Sequence, residues 1–238
     1  MSKIDEVIVY SGGLDSTVLL ESEAKKGKTI HALNFYYGSK HNKAERAAAR
    51  IICSLHSIKF IEINLNFISE LFKSDLLQSG GEIPKGHYAE DNMKSTVVPF
   101  RNGIMLSIAI GYAESVGAEK VLLASHTGDH AIYPDCRPEF TEAISIAAVT
   151  GTQKGISIEA PFSNKTKADI VKLGIEINAS FKLAYSCYNG QKRPCLACGT
   201  CFERTEAFML NNIQDPALSD SEWVEAVKIV KDKETMSE

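Results

Sequence analysis

Val7-Ile8-Val9-Tyr10-Ser11-Gly12-Gly13-Leu14-Asp15-Ser16-Thr17 sets the architecture of the 238-residue chain. Val7 to Tyr10 is a short apolar run that ends on Ser-Gly-Gly, the pattern of a strand followed by a tight turn. Asp15 to Lys26 then reads as a helix stopped by Gly27. A strand, a glycine turn and a helix N-terminus form the place where open α/β sheets bind ligands. The two glycines let the backbone bend and expose N–H groups, and those groups with the positive helix end suit a pyrophosphate. Ser11 and Ser16 add hydroxyl donors. An Asp beside phosphate repels it unless a metal ion intervenes, so Asp15 fits a Mg²⁺ role. A glycine turn with an Asp/Ser cap would explain two glycines alone. The whole Ser-Gly-Gly-x-Asp-Ser string after a first strand favours a nucleotide loop over Tyr10, Ser11, Gly12, Gly13, Leu14, Asp15, Ser16 and Thr17.

Working outward, strand-like and helix-like segments alternate. Thr29 to Tyr36 reads as a second strand, Asn42 to His56 as a helix and Ile58 to Ile63 as a third strand. Gly80 to Pro99 is polar and turn-rich, a loop over the site. Asn102 to Val116 is helical, Val121 to Ser125 a buried fourth strand and Pro138 to Val149 a further helix. Ile156 to Glu159 follows as a fifth strand, Thr166 to Leu173 as a short helix, and 228–238 as a charged, fraying tail. Such alternation implies parallel βαβ units in a doubly wound α/β sheet. The expected division is a nucleotide-binding α/β domain over 1–180 and a small zinc-binding, helical segment over 181–238.

Composition narrows the class. The chain is 44% hydrophobic, enough for a large core, and no apolar run reaches the ~18 residues of a membrane span. The N-terminus lacks a signal-peptide pattern, which points to the cytoplasm. A net charge of −4 argues against a protein built to coat nucleic acid. Gly27-Lys28-Thr29 echoes a Walker loop, but the earlier glycine it requires is Ser22, and the segment ends a helix.

Cys187, Cys195, Cys198 and Cys201 crowd into fifteen positions, with turns supplied by Gly190, Pro194 and Gly199. In a reducing compartment such a cluster is a metal site more often than a disulfide set. Four thiolates close a tetrahedral zinc shell and leave no open position for water, so the site reads as structural. An iron–sulfur cluster fits the same Cys-x2-Cys-x2-Cys spacing.

Further constellations stand out. Tyr133-Pro134-Asp135-Cys136-Arg137-Pro138-Glu139-Phe140 packs charge and aromatic surface between two prolines. A carboxylate there could accept hydrogen bonds from a guanine-like base, and Arg137 could hold a carboxylate. A loop leading into a helix, with Pro138 in its first turn, explains the same residues. His126 and His130, four apart, lack a third ligand and read as surface or core. Arg101 and Asn102 enter the long helix where they could contact nucleotide, or Asn102 could serve only as a cap. Lys165 and Lys167 precede a helix, and either could neutralise developing phosphate charge.

The Ser-Gly-Gly-x-Asp-Ser string resembles the PP-loop of the ATP pyrophosphatase families. Beyond that loop the chain resembles the 7-cyano-7-deazaguanine synthase (QueC) family along nearly its whole length. The resemblance rests on Phe35-Tyr36-Tyr37-Gly38, Gly86-His87-Tyr88, Val98-Pro99 with Arg101-Asn102, Tyr133 to Phe140, Pro161 with Lys165 to Gly174, and Ser186-Cys187-Tyr188 with the cysteine knuckle. It implies an adenine nucleotide alpha hydrolase-like fold, bound zinc, ATP with Mg²⁺, and a homodimer. The implied substrates are 7-carboxy-7-deazaguanine, ammonia and ATP, joined through an acyl adenylate and an amide to give the nitrile base. Asp15, Ser16, Arg101 and Lys165 then take catalytic roles. Tyr133, Asp135, Arg137, Glu139, Phe140 and Lys167 would hold the base. Two departures stand out: Tyr185 where the family usually has Trp, and a different loop from His126 to Ile132. A relative that stops at the amide, or that attaches the deazaguanine to a protein or nucleic acid, is the alternative these imply. A PP-loop enzyme acting directly on tRNA is disfavoured by the acidic balance. A catalytically dead zinc-knuckle module is disfavoured by the intact loop.

Overall fold

A computed structural model describes residues 3–86 and 91–237. Five strands form one sheet in the order β3-β2-β1-β4-β5. They are β1 Glu6–Val9, β2 Ile30–Tyr36, β3 Lys59–Asn64, β4 Lys120–Leu122 and β5 Ser157–Glu159. Every pairing is parallel, as in Val7 opposite His31 and Val7 opposite Val121. The helices are α1 Leu14–Lys25, α2 Asn42–Leu55, α3 Phe67–Leu71, α4 Arg101–Val116, α5 Pro138–Gly151, α6 Lys167–Glu176, α7 Gly199–Leu210 and α8 Asp220–Ser237.

Strand side chains alternate between two cores. Val7 joins Leu106, Ala109 and Ala148 from α4 and α5 on one face. Ile8 joins Val18, Ile52, Ile170 and Phe208 from α1, α2, α6 and α7 on the other. The sheet is therefore doubly wound, as the sequence pattern implies. Chain order reverses beside β1, between β2 and β4, and the end of β1 opens the Ser11 loop at that switch point. None of the described helices is long and apolar enough to cross a membrane.

Three expectations are corrected. The fourth strand stops at Leu122, because Ala124 and Ser125 leave the ladder to line the cavity beside the loop. Within the expected loop of 80–99, Asp91–Thr96 forms a 3₁₀ turn. His87 and Tyr88 lie outside the described residues. The tail does not fray from Lys228: α8 continues, anchored by buried Ala226 and Val230 and by Trp223 packed on the second core. That i, i+3, i+7 stripe supplies the apolar face a helix needs.

Candidate active site

The Ser11 loop is fixed from both sides. Gly12 has φ +95, and a Cβ there would lie 2.3 Å from the Glu45 carbonyl oxygen, so the position takes only glycine. The Asn34 side chain donates to the carbonyls of Tyr10 and Ser11, at 2.9 and 3.1 Å. The Tyr185 amide donates to the Gly12 carbonyl at 3.0 Å. Gly13 caps α1 with extended backbone and no side-chain cap, which leaves the helix end facing the cavity. The Gly13 amide donates to Ser11 Oγ, and Ser11 Oγ lies 3.1 Å from Ser16 Oγ. Thr17 turns inward, its hydroxyl 3.2 Å from the buried Tyr10 hydroxyl.

At the loop's mouth Asp15 meets a cation. Lys167 Nζ is 2.5 Å from Asp15 Oδ2, 3.3 Å from Glu203 Oε2 and 3.0 Å from His126 Nε2. Thr166 and Asp169 form a capping box that starts α6, which makes Lys167 its first residue. A cation at a helix N-terminus opposes the helix dipole, so the position serves the cavity at a local cost. Burial would raise the Asp15 carboxyl, but Lys167 and His126 outweigh it and hold the group below its ordinary value. Burial pushes Glu203 up, only partly offset by Lys167. Asp15 Oδ1 is buried without a protein partner, an acceptor left for a ligand or cation. That observation fits Mg²⁺, which takes oxygen ligands from one or two carboxylates and from phosphate.

Across the cavity lies an aromatic and charged wall. Arg101, the first residue of α4, donates to the Tyr37 hydroxyl at 3.3 Å. Its guanidinium also sits 5.7 Å from the Tyr37 ring and 6.0 Å from the Tyr133 ring. Tyr133 and Tyr188 bring their hydroxyls within 3.3 Å of each other, and His41 packs on the Tyr188 ring. Glu45, in the first turn of α2, is half-buried beside them. Burial pushes its carboxyl up to about 8, against the pull of Arg101 and Ser11. Burial, then Arg101, pushes His41 down to about 3. These side chains and the Ser11 loop line one cavity of about 210 Å³.

The residues named from sequence separate into two groups. Tyr10, Ser11, Gly13, Leu14, Asp15, Ser16, Arg101, Asn102, Tyr133 and Lys167 line the cavity. Lys165, Asp135, Arg137, Glu139 and Phe140 are not among its lining residues. The Lys165 carbonyl accepts from the Thr127 amide instead. Asp135 is buried, and its carboxylate accepts the Asn102 amide at 2.8 Å, capping the start of α4. Arg137 is exposed and donates to the His130 carbonyl. Glu139 is exposed, and Phe140 packs edge-on against Phe100. Pro134 and Pro138 turn this segment so that only Tyr133 and Cys136 face inward.

Sequence reading missed His41, Glu45 and Glu203, gave Tyr37 and Tyr188 no role beyond the family resemblance, and placed His126 on the surface or in the core. One signal was present. His41 and Glu45 lie i, i+4 on the helix face that also carries buried Ala48, Ala49 and Ile52. A polar pair on an apolar face needs partners.

The four cysteines converge. Their sulfurs all lie within 4.8 Å of one another, and three of the four residues are buried. Hydrogen bonds from Cys187, Cys198 and Cys201 hold the Cys195 thiol well below its ordinary value. Gathered sulfurs that favour a thiolate suit a tetrahedral cation of the zinc type. Cys198 caps α7, and Cys201, Glu203 and Arg204 lie in its first two turns. A metal here would sit at the root of the helix that presents Glu203 to Lys167.

The family model described as queuosine biosynthesis protein QueC matches residues 5–212. The chain belongs to the QueC family. It is 54% identical over 204 residues to a 7-cyano-7-deazaguanine synthase from Desulfotalea psychrophila, covering 86% of this chain and 93% of that one. It is 43% identical to the enzyme of that name from Archaeoglobus fulgidus, over 98% and 97% of the two chains. The Porphyromonas gingivalis relative is 48% identical, over 89% and 96%. In this QueC chain the Ser11 loop, the Tyr133–Cys136 turn and the cysteine knuckle all lie within the matched span.

Proposed function

We propose that this QueC-family enzyme converts 7-carboxy-7-deazaguanine and ammonia to 7-cyano-7-deazaguanine, using ATP with Mg²⁺. The observation that carries the reading is one cavity joining a pyrophosphate-type loop to an aromatic wall with a guanidinium at the junction. A carboxylate is a poor electrophile, and adenylation turns its oxygen into a leaving group. The α1 end, Ser11 and Ser16 hold phosphate oxygens. Asp15 binds the metal, and Lys167 offsets phosphate charge. Tyr37, Tyr133 and Tyr188 take the flat base against their rings, and Arg101 orients its carboxylate toward the α-phosphate. Ammonia displaces AMP from the acyl adenylate to give the amide; a second ATP then adenylates the amide oxygen, and loss of AMP with that oxygen leaves the nitrile.

Zinc on Cys187, Cys195, Cys198 and Cys201 is structural in this reading. The chain works in the cytoplasm as a homodimer, a state supported by the apolar side chains that α5 leaves exposed. Purified protein given ATP, Mg²⁺, ammonium and 7-carboxy-7-deazaguanine should yield the nitrile base with AMP and pyrophosphate, read by mass. Accumulation of the amide alone, or no base-dependent AMP, overturns the assignment.

A further inference from the structure

Ammonia that displaces AMP from an acyl adenylate must lose a proton before an amide can stand. A cavity that catalyses the step needs an acceptor near the acyl carbon. Lys167, Arg101 and Arg204 are cations. Asp15 is tied to Lys167 and held low, so it is a weak base. Asp129 accepts the His126 amide at 3.1 Å. Burial makes His41 a weak base too, and it holds the Tyr37 hydroxyl protonated. Among the described residues lining the cavity, one carboxyl has both position and basicity.

We propose that Glu45 is the proton acceptor for the nitrogen nucleophile of this reaction. The proposal rests on the synthase reading above. A Cβ at Gly13 would lie 3.5 Å from Glu45 Oε1, which puts the carboxyl directly over the loop that takes the adenylate's phosphate. Glu45 Oε2 lies 3.4 Å from Nε2 of His41, the residue that caps the same helix. The groups facing it are Arg101 from α4, Tyr37 and His41 from the β2–α2 turn, and Tyr10, Ser11 and the α1 end from the loop. As nitrogen attacks, the C–N bond forms and the C–O bond to AMP breaks, its electron pair leaving on the phosphate. One N–H proton passes to a Glu45 oxygen and then to solvent. A carboxyl pushed up to about 8 binds that proton far better than an ordinary one, yet is still partly ionised near neutral pH.

The test separates adenylation from amidation. Substrate-dependent ATP–pyrophosphate exchange, run without ammonia, reads the first step. Amide formation at constant free ammonia reads the second. Glu45→Gln should keep exchange within about twofold and lose amide formation on the order of 10²-fold, the usual size of a general-base contribution. Glu45→Asp should recover part of the loss. In wild type, amide formation at constant free ammonia should rise with pH through an apparent pKa near 8. A flat wild-type profile, or an unimpaired Glu45→Gln amidation rate, overturns the role of Glu45. Loss of exchange together with amidation in a folded Glu45→Gln overturns it too, placing the residue in adenylation. No exchange in wild type overturns the synthase reading and the proposal with it.

Discussion

A carboxyl half-buried beside a nucleotide loop leaves a trace in stability as well as in catalysis. Glu45 has an ordinary value of 4.5 and a folded value of about 8. Between those values the unfolded chain has released the proton and the folded chain has kept it. The native state then binds more protons, so the group's contribution falls as pH rises through that window. Glutamine does not titrate and is spared the loss. The stability of Glu45→Gln minus that of wild type should therefore rise by about 2–4 kcal/mol from about pH 5 to about pH 9. Urea midpoints of both proteins at the two ends measure it. A constant difference would mean that Glu45 ionises in its ordinary range. Residues of this kind are hard to read from sequence. The Ser11 loop was legible because its chemistry is contiguous, eight residues at one turn. Tyr37 with Glu45, Arg101 and Tyr188 come from three distant segments, and nothing local says that they share a wall. The Asp135 to Phe140 string, expected at the base, lies outside the cavity lining for the opposite reason. Its charges are contiguous, but two prolines aim them at a helix cap and at solvent.

At the scale of elements, α7 links the cysteine knuckle to the cavity. Cys198 caps it and Cys201 lies in its first turn, while buried Arg204 binds Asp215 at 2.5 and 2.8 Å and the carbonyls of Ala184 and Phe181. Leu196 adopts φ +58 between the ligands, a conformation a bulky side chain resists, so the knuckle holds the chain in a shape it would not keep unaided. Cation binding repays such strain, since binding energy at a structural site is folding energy. Cys198→Ser should abolish stoichiometric zinc, measured by elemental analysis. Amide exchange should then rise across 186–205 before it rises in the sheet. Retained protection there would show that packing of α7 on α6 holds the element without metal. The elements were largely legible, because period-two and period-3.6 patterns are local. The end of β4 was not, since Ala124 and Ser125 continue the apolar run of Val121 to Leu123 yet serve the cavity. The continuation of α8 was also hidden, because Ala226 and Val230 owe their burial to packing of α8 on α7, which the charged run does not announce.

Across the whole molecule exposed apolar side chains gather on α2, α3 and α5, and the α5 set continues to Phe100. Ile146 is 60% exposed, Val149 47% and Phe100, beside the start of the helix, 60%. Phe100 meets Phe140 with ring centroids 5.7 Å apart, so one stripe runs from the mouth of the cavity along α5. Ala143 and Ala147 lie on the same side and are open to solvent. A monomer gains nothing from a helix that turns Ile and Val to water, while a second copy covers such a face by self-complementary contact. Phe100 also adopts φ +52, and its neighbour Arg101 reaches into the cavity, so pressure on the stripe bears directly on the guanidinium. Wild type should therefore run as a dimer in analytical ultracentrifugation at micromolar concentration. Ile146→Lys should shift it to monomer and keep the fold, because the substituted position touches no core. If Arg101 is set by the dimer contact, the monomeric variant should show a raised KM for the deazaguanine with zinc content unchanged. A wild-type monomer, or a dimer indifferent to Ile146→Lys, would remove α5 as the interface and leave its apolar face to another partner.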